Sequence, residues 1–253
     1  MLLITLNEFR RTYFDTALGY IWSLARPLLL FSVLLVVFTH VFRIGSQVPH
    51  YPVLLLLNLV LMTFFSEATG ASVPSLVNNE GIVRKTQFPR LVIPLSVVTT
   101  AGINLSFNLL AVAVFIFAWG ISPTLTWLFF PLVLLYLALV TISTCMLLSA
   151  LYPRFRDVGM IWSVLSTALF YGTPVLYPLE VVPTPLRDLI VVNPLTPVFV
   201  YARRWVVDPT APDMWSLPSD PLLAVVPFML AATVIACSIA VFRREAPRIA
   251  EEL

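Results

Sequence analysis

Six long apolar runs, separated by short polar stretches, dominate the pattern of hydrophobic and polar positions along the chain. Each run is long enough to cross the hydrocarbon core of a bilayer, which takes about 20 mainly apolar residues in a helix. We therefore predict an all-α integral membrane protein with six transmembrane helices per subunit, forming a single transmembrane domain over residues 1–253. The predicted spans lie near residues 22–42, 52–77, 91–119, 125–151, 158–177 and 222–242.

A different pattern precedes the first span, over residues 6–24. Apolar residues such as Leu6 and Phe9 recur there at helical spacing, whereas Glu8 and Asp15 fall on the other side. An amphipathic helix of this kind is suited to lie in the membrane interface. We predict an N-terminal interface helix here, and an ordinary helical lead-in to the first span is the alternative.

The stretch between spans five and six is too polar and proline-rich for two full spans, yet residues 184–205 are too apolar for an exposed loop. Proline disfavours the helical conformation at the residue before it, so Asn193–Pro194 should divide this part into two short helices. We predict a re-entrant helical pair that dips into the outer leaflet. One additional full span is the alternative, and it would place the C-terminus outside.

The composition supports a membrane protein, because 59% of the 253 residues are hydrophobic and only 11% are charged. A soluble domain carries about 25% charged residues. With a cytoplasmic N-terminus, eleven basic residues lie inside and four outside, which is the bias of the positive-inside rule. Both termini are then predicted to be cytoplasmic. The inner set is Arg10, Arg11, Arg26, Arg84, Lys85, Arg90, Arg154, Arg156, Arg243, Arg244 and Arg248, and the outer set is Arg43, Arg187, Arg203 and Arg204.

Residues that carry enzyme chemistry are missing from the sequence. Lys85 is the only lysine, and no glycine-rich loop precedes it, so no phosphate-binding P-loop is expected. His40 and His50 belong to no metal-ligand pattern. Cys145 and Cys237 lie in apolar runs, where a thiol usually acts as a small hydrophobe. We predict no catalytic residue, metal or cofactor in this chain, which favours a transport subunit over an enzyme.

Six motifs occur in order along the chain: RTYFDTALGYIWSLARPLL (11–29), FFSEA (64–68), IVRKTQFPRLVIPLS (82–96), YPRFRDV (152–158), TPVLYP (173–178) and NPLTPV (193–198). Together they resemble the permease subunits of ABC transporters, in the type-2 ABC exporter superfamily, that export O-antigen, teichoic acid and related lipid-linked polysaccharides. The resemblance covers about residues 6–245. It implies a homodimer of six-span subunits in the bacterial inner membrane, among membrane lipids, with a lipid-linked glycan as substrate and no nucleic-acid partner. It also implies two copies of a separate nucleotide-binding ATPase, which would hold ATP and Mg.

The resemblance gives a role to the charged loop between spans two and three. It implies a coupling helix set in a groove of the ATPase, and a solvated turn with positive-inside arginines is the alternative. The candidate coupling residues are Asn79, Glu80, Arg84, Lys85, Phe88 and Arg90. A second, smaller contact is predicted at Arg154, Arg156 and Asp157; alternatively, Arg156 and Asp157 pair with each other or face lipid headgroups.

An acid inside a predicted span is a functional candidate by default. Glu67 either faces the translocation path, where it would bond sugar hydroxyls, or holds the dimer by bonding Ser66, Thr69 or a backbone carbonyl. A sliding polysaccharide also needs flat rings and hydroxyl groups along its path. With the placement that the resemblance implies, the candidate path and gate residues are Glu67, Trp162, Phe170, Tyr171, Pro174, Tyr177 and Asn193.

Two other functions remain open from the sequence. An ABC permease for drugs or small lipids would share the spans and the coupling loop, but would have less need for hydroxyl-bearing aromatic residues. An integral-membrane glycosyltransferase or acyltransferase would require paired carboxylates or a histidine on one side of the bilayer, and the sequence offers no such pattern. An ATPase that co-purifies with the chain would favour the exporter over the enzyme.

Overall fold

The computed structural model describes residues 21–43, 45, 48–81 and 89–245, so the predicted interface helix over residues 6–24 lies mostly outside the described part. The helices, labelled α1 to α9 in chain order, are Ile21–Val36, Tyr51–Ser72, Ser75–Asn78, Val92–Ala118, Phe130–Leu151, Val158–Tyr171, Thr184–Val191, Thr196–Ala202 and Val226–Glu245. Two π-helical turns, Val37–Val41 and Arg203–Val207, continue α1 and α8. Two 3-10 turns, Leu125–Phe129 and Pro221–Val225, lead into α5 and α9, and a third is Leu179–Val181. Within the described ranges there is no strand.

Five helices in the described ranges are long and apolar enough to cross a membrane, namely α1, α2, α4, α5 and α9 with their helical extensions. The prediction of an all-helical membrane protein is therefore confirmed. α6 has 14 residues, which rise about 21 Å and fall short of a 30 Å hydrocarbon core. It ends at Tyr171 instead of the predicted 177, because Gly172 and Pro174 follow and both residue types disfavour helix.

α2 occupies the centre of the subunit. Sixteen of its 22 residues are buried, and it contacts α1, α4, α5 and α6. The outer helices instead direct large apolar side chains outward, such as Val114 of α4, Leu135 of α5 and Met229 of α9. Extended apolar surface of this kind is rare on a soluble monomer and suits contact with lipid.

The α7–α8 pair lies between α6 and α9 in the chain. α7 has eight residues and α8 has seven, and the two are separated at Asn193–Pro194, where the sequence predicts a break. Even with the π-helical turn that continues it, α8 has only 12 helical residues, which rise about 18 Å. Helix length therefore rules out an additional full span in this stretch.

Candidate translocation path and partner contacts

One end of the subunit carries five of the ten described arginines, against four at the opposite end, and is called the basic end below. It is formed by the C-terminal end of α3, the loop at residues 152–157 and the last turn of α9. Arginine residues there are Arg90, Arg154, Arg156, Arg243 and Arg244. The opposite end is formed by the start of α2, the start of α5 and the segment 172–220, and it carries Arg43, Arg187, Arg203 and Arg204.

The predicted coupling loop belongs to the basic end. Its residues Arg84, Lys85 and Phe88 lie outside the described part of the chain. The remaining members of the set, Asn79, Glu80 and Arg90, flank that part on either side. The side-chain amide of Asn79 donates a 2.9 Å hydrogen bond to the carbonyl of Ser75, so Asn79 secures the end of α3 and fixes where the loop begins.

The second predicted contact, in the 152–157 loop, is exposed at Arg154, Arg156 and Asp157. The Arg154 guanidinium lies 3.7 Å from the carboxylate of Glu245 at the end of α9. The Arg156 guanidinium instead lies over the ring of Tyr152, with its central carbon 5.1 Å from the ring centroid. Among the described residues, no ion pair joins Arg156 to Asp157, and the Asp157 side chain is exposed.

Glu67 pairs with Arg26 of α1, a partner that the sequence analysis did not identify. The Arg26 Nη1 atom lies 3.7 Å from Glu67 Oε1, and the two side chains are 79% and 38% exposed. The hydroxyl of Thr69, one of the partners considered from sequence, donates to the carbonyl of Phe65 at 2.7 Å. The pair therefore joins the first two long helices near the basic end while both charges stay open to the subunit surface.

Five of the seven predicted path residues lie around the end of α6. They are Phe170, Tyr171, Pro174, Tyr177 and Asn193. The Tyr177 hydroxyl donates to the Tyr171 carbonyl at 2.9 Å, and the rings of Phe170 and Tyr171 pack edge to face with centroids 5.2 Å apart. The Asn193 amide donates to the carbonyl of Gly172 at 3.4 Å. Aromatic faces and hydroxyl groups are thus concentrated where α6 ends, and the Tyr171 side chain is exposed.

The non-helical stretch after α6 is held along α2 by two side chains that the sequence analysis missed. The Asn58 amide nitrogen lies 3.2 Å from the carbonyl oxygens of both Pro174 and Val175. The Tyr51 hydroxyl donates to the carbonyl of Leu176 at 2.7 Å. The sequence did contain a signal, a single asparagine in the apolar run LLLLNLVL (54–61), because a buried amide requires hydrogen-bond partners.

Two further hydrogen bonds fix the α7–α8 pair against α5 and the turn that precedes it. The Tyr136 hydroxyl donates to the carbonyl of Pro194 at 2.9 Å, and the Thr126 hydroxyl donates to the carbonyl of Trp205 at 2.8 Å. Ten residues separate Thr126 from Tyr136, a rise of about 15 Å in a helix. The turn at Pro194 therefore lies deeper in the subunit than the end of α8.

α6 carries a line of three polar side chains, of which only Tyr171 was a candidate from the sequence. Ser163, Thr167 and Tyr171 are exposed and follow each other at intervals of four, so they share one face of the helix. The hydroxyl groups of Ser163 and Thr167 donate to carbonyls of their own helix, at 2.7 Å and 3.0 Å. Their oxygen atoms keep the capacity to accept a hydrogen bond from a ligand.

The profile of the ABC-2 type transporter family matches residues 1–204, which include α1 to α8. The chain belongs to the ABC-2 type transporter family. It is 32% identical over 204 residues to an O-antigen export system permease protein RfbA of Klebsiella pneumoniae, covering 80% of this chain and 78% of that protein. It is 30% identical over 248 residues to the protein of the same name from Myxococcus xanthus, covering 96% and 93%.

At the opposite end of this ABC-2 permease, ion pairs hold the segment 172–220 together. Arg203 Nη1 donates to both carboxylate oxygens of Glu180, at 2.7 Å and 2.9 Å. Its Nη2 atom lies 3.9 Å from a carboxylate oxygen of Asp208. Arg203 is only 13% exposed, and charge-assisted bonds of this kind are stronger than neutral ones. The pairs join the 3-10 turn after α6 to the end of α8.

Asp188 of α7 is tied to the segment before α9. Its carboxylate accepts hydrogen bonds from the hydroxyl and from the backbone N–H of Ser219, the latter at 2.9 Å. These two bonds lower the pKa of the Asp188 carboxyl below its ordinary value, because they stabilise the ionised form. Across the described ranges, no group of three or more His, Cys, Asp and Glu side chains is arranged to hold a metal ion.

Proposed function

We propose that the chain is the membrane-spanning permease subunit of an ATP-driven ABC exporter that moves a lipid-linked polysaccharide of the O-antigen type out of the cytoplasm. The observation that carries this proposal is the likeness to O-antigen export permeases, which extends over 96% of the chain in one relative. Teichoic acid and other cell-wall glycans belong to the same chemical class of substrate. The chain itself acts as a transport subunit without catalytic residues or a bound cofactor.

We further propose that α6 is the fifth of six spans and that α7–α8 is a re-entrant pair. Asn58 lies seven residues after Tyr51, which is about 10 Å deeper along α2. The hydrogen bonds of Asn58 and Tyr51 therefore hold residues 174–176 along α2, from the depth of Asn58 up to the start of that helix. Irregular backbone is tolerated at membrane depth only where protein surrounds and satisfies it, and the donors on α2 and α5 meet that requirement.

The working unit is a homodimer in the bacterial inner membrane. α6 supports this assignment because none of its 14 residues is buried within one subunit. A second copy facing α6 would cover its apolar side chains and enclose the polar line Ser163, Thr167 and Tyr171. The rings and hydroxyl groups that meet after α6 would then border the exit of the path, where they can stack on and bond to sugars.

Two copies of a nucleotide-binding ATPase drive the exporter, and they hold the ATP and Mg²⁺. The basic end is the cytoplasmic end, with both termini on that side, as the positive-inside rule favours. The loop 79–90 is the principal contact with the ATPase, and the 152–157 loop is the second one. A change at the first loop would reach the path through α3 and α4, which flank it, and a change at the second through α5 and α6.

Charge reversal in the coupling loop tests this proposal. The double variant Arg84→Glu/Lys85→Glu should insert into the membrane normally but export little polysaccharide and bind the ATPase weakly. The matched control is Arg243→Glu/Arg244→Glu, which makes the same charge change at the same end but outside the loop. Co-purification of the ATPase and surface polysaccharide are measured for both. Normal export by the first variant would refute the coupling role, and wild-type surface polysaccharide without the chain would refute the function.

A further inference from the structure

A cleft opens at the basic end between the last turn of α2 and the first three turns of α6. Its volume is about 380 Å³, and it is open to the surroundings. This size falls in the range of about 300–1,000 Å³ that small-ligand sites occupy. The residues that shape its chemistry are Gly70, Tyr152, Trp162, Ser163, Ser166 and Thr167. None of the residues that line it is charged.

The ring of Tyr152 forms a fixed wall of this cleft. The Arg156 guanidinium lies over the ring, 5.1 Å from its centroid. A Cβ atom placed at Gly159 would lie 3.2 Å from the ring atom Cε2 of Tyr152. A side chain at this position would therefore crowd the ring, and glycine avoids this. The local sequence YPRFRDVG (152–159) therefore holds an aromatic face against the cleft, in addition to any contact that it makes outside the subunit.

The other groups in the cleft complement a sugar. Trp162 contributes a second aromatic surface, held edge to face against Phe65 with centroids 6.1 Å apart. Its indole N–H is buried, so Trp162 offers its ring, and not its N–H, to a ligand in the cleft. The hydroxyl oxygens of Ser163, Ser166 and Thr167 lie on the α6 side. Sugar rings present apolar C–H faces to aromatic rings and hydroxyl groups to such oxygens.

We propose that this cleft is a binding subsite for a neutral sugar residue of the polymer that is exported, an inference that rests on the proposed function. Neutrality follows from the lining, because none of the side chains that line the cleft is charged. Thr167 lies four residues before Tyr171, so the cleft continues directly into the polar line of α6. A glycan bound here is thus positioned to move toward the rings that meet after α6.

Protection of a cysteine reporter tests the subsite in the full chain bound to its ATPase in lipid nanodiscs. The reporter is Ser163→Cys in a Cys237→Ser background, in which Cys145 stays buried. The rate of maleimide labelling is measured with a polyprenyl diphosphate that carries a short oligosaccharide of neutral hexoses, and with the same polyprenyl diphosphate without sugar. The sugar-bearing lipid should slow labelling about tenfold at about ten times its Kd. Equal protection by the sugar-free lipid, or no protection by either, overturns the proposal.

Filling the cleft provides a matched pair of variants in the reporter chain. A Cβ atom at Gly70 or at Gly102 meets no other atom within 4 Å, so both positions accept a side chain without a clash. Gly70→Leu occupies the cleft and should abolish protection, whereas Gly102→Leu on α4 should retain it. Gly70→Ala, which adds one methyl group to a helix, should fold at least as well and weaken protection partly.

The subsite and the proposed function fail in different ways. If deletion of the chain leaves surface polysaccharide unchanged, the proposed function fails. If deletion removes surface polysaccharide but Gly70→Leu retains both protection and export, the subsite alone fails. Loss of protection in Gly70→Leu together with reduced export, against normal behaviour of Gly102→Leu, supports both.

Discussion

Replacing Asn58 by leucine should loosen the stretch after α6 without creating a cavity, because the two side chains have similar volumes. The substitution removes two hydrogen bonds of 3.2 Å, to the carbonyls of Pro174 and Val175. Both of these residues are buried, so water cannot replace the lost donor. Each net hydrogen bond contributes about 0.5–1.5 kcal/mol, and an unsatisfied buried group costs about 1–3 kcal/mol. We therefore expect the local opening free energy to fall by about 2–4 kcal/mol.

Hydrogen exchange followed by mass spectrometry measures this opening in the full chain. A loss of 2–4 kcal/mol corresponds to exchange that is about 30- to 1,000-fold faster, and we expect it at the backbone amides of residues 175–177. The control is Asn108→Leu, which also removes a buried asparagine but breaks only a 2.9 Å bond within α4, to the carbonyl of Asn104. Exchange in the Asn58→Leu variant within about threefold of wild type would contradict the assigned hydrogen bonds.

Three smaller effects are expected in the segment at the opposite end. Arg203→Met removes a donor to the Glu180 carboxylate and should lower the free energy of unfolding by about 2 kcal/mol. Arg203→Lys should lower it less, because a positive charge remains. Equal decreases in the melting temperature of the two variants would contradict this. Ser219→Ala should raise the pKa of Asp188. Because that pKa is depressed in the folded state, the wild type should exceed the variant in stability above about pH 5, and the two should converge as the pH falls. Tyr136→Phe removes one hydroxyl donor and should cost about 1 kcal/mol in chemical unfolding, and no change would show that the bond is not made.

The positions of the five long helices could be predicted from sequence because length and hydropathy alone decide them, whereas the predicted sixth span, 158–177, is the 14-residue helix α6. The predicted span 91–119 and the helix Val92–Ala118 differ by one residue at each end. Prolines also mark helix starts, as at Pro52 and Pro131, which lie in the first turns of α2 and α5. A proline costs nothing there, since the N–H that it lacks has no partner in the helix. Local signals of this kind need no knowledge of the tertiary structure.

The contacts that shape the path could not be predicted because they join residues far apart in the chain. Asn58 and Pro174 are 116 positions apart, and no local pattern relates an asparagine in one span to a carbonyl after another. Similarly, the position of Glu67 in an apolar run marks it as a candidate, but no local pattern identifies Arg26 as its partner. A polar residue in a span indicates that it has a hydrogen-bonding or charged partner, but only the packing of the helices shows which residue that partner is.

The donors that hold the 172–220 segment in place come from long helices and the turn before α5, and the acceptors are carbonyls of the segment. Asn58 and Tyr51 on α2 hold its start, and Tyr136 and Thr126 hold the α7–α8 pair. Separating α7–α8 from the residues after α6 would break more than the two bonds to Tyr136 and Thr126. It would also break the Arg203–Glu180 ion pair and the hydrogen bond from Asn193 to Gly172, and it would expose α8, of which six of the seven residues are buried. The α7–α8 pair and the residues after α6 are therefore held to each other as well as to α2 and α5, so we expect the segment to respond to a passing glycan as one unit.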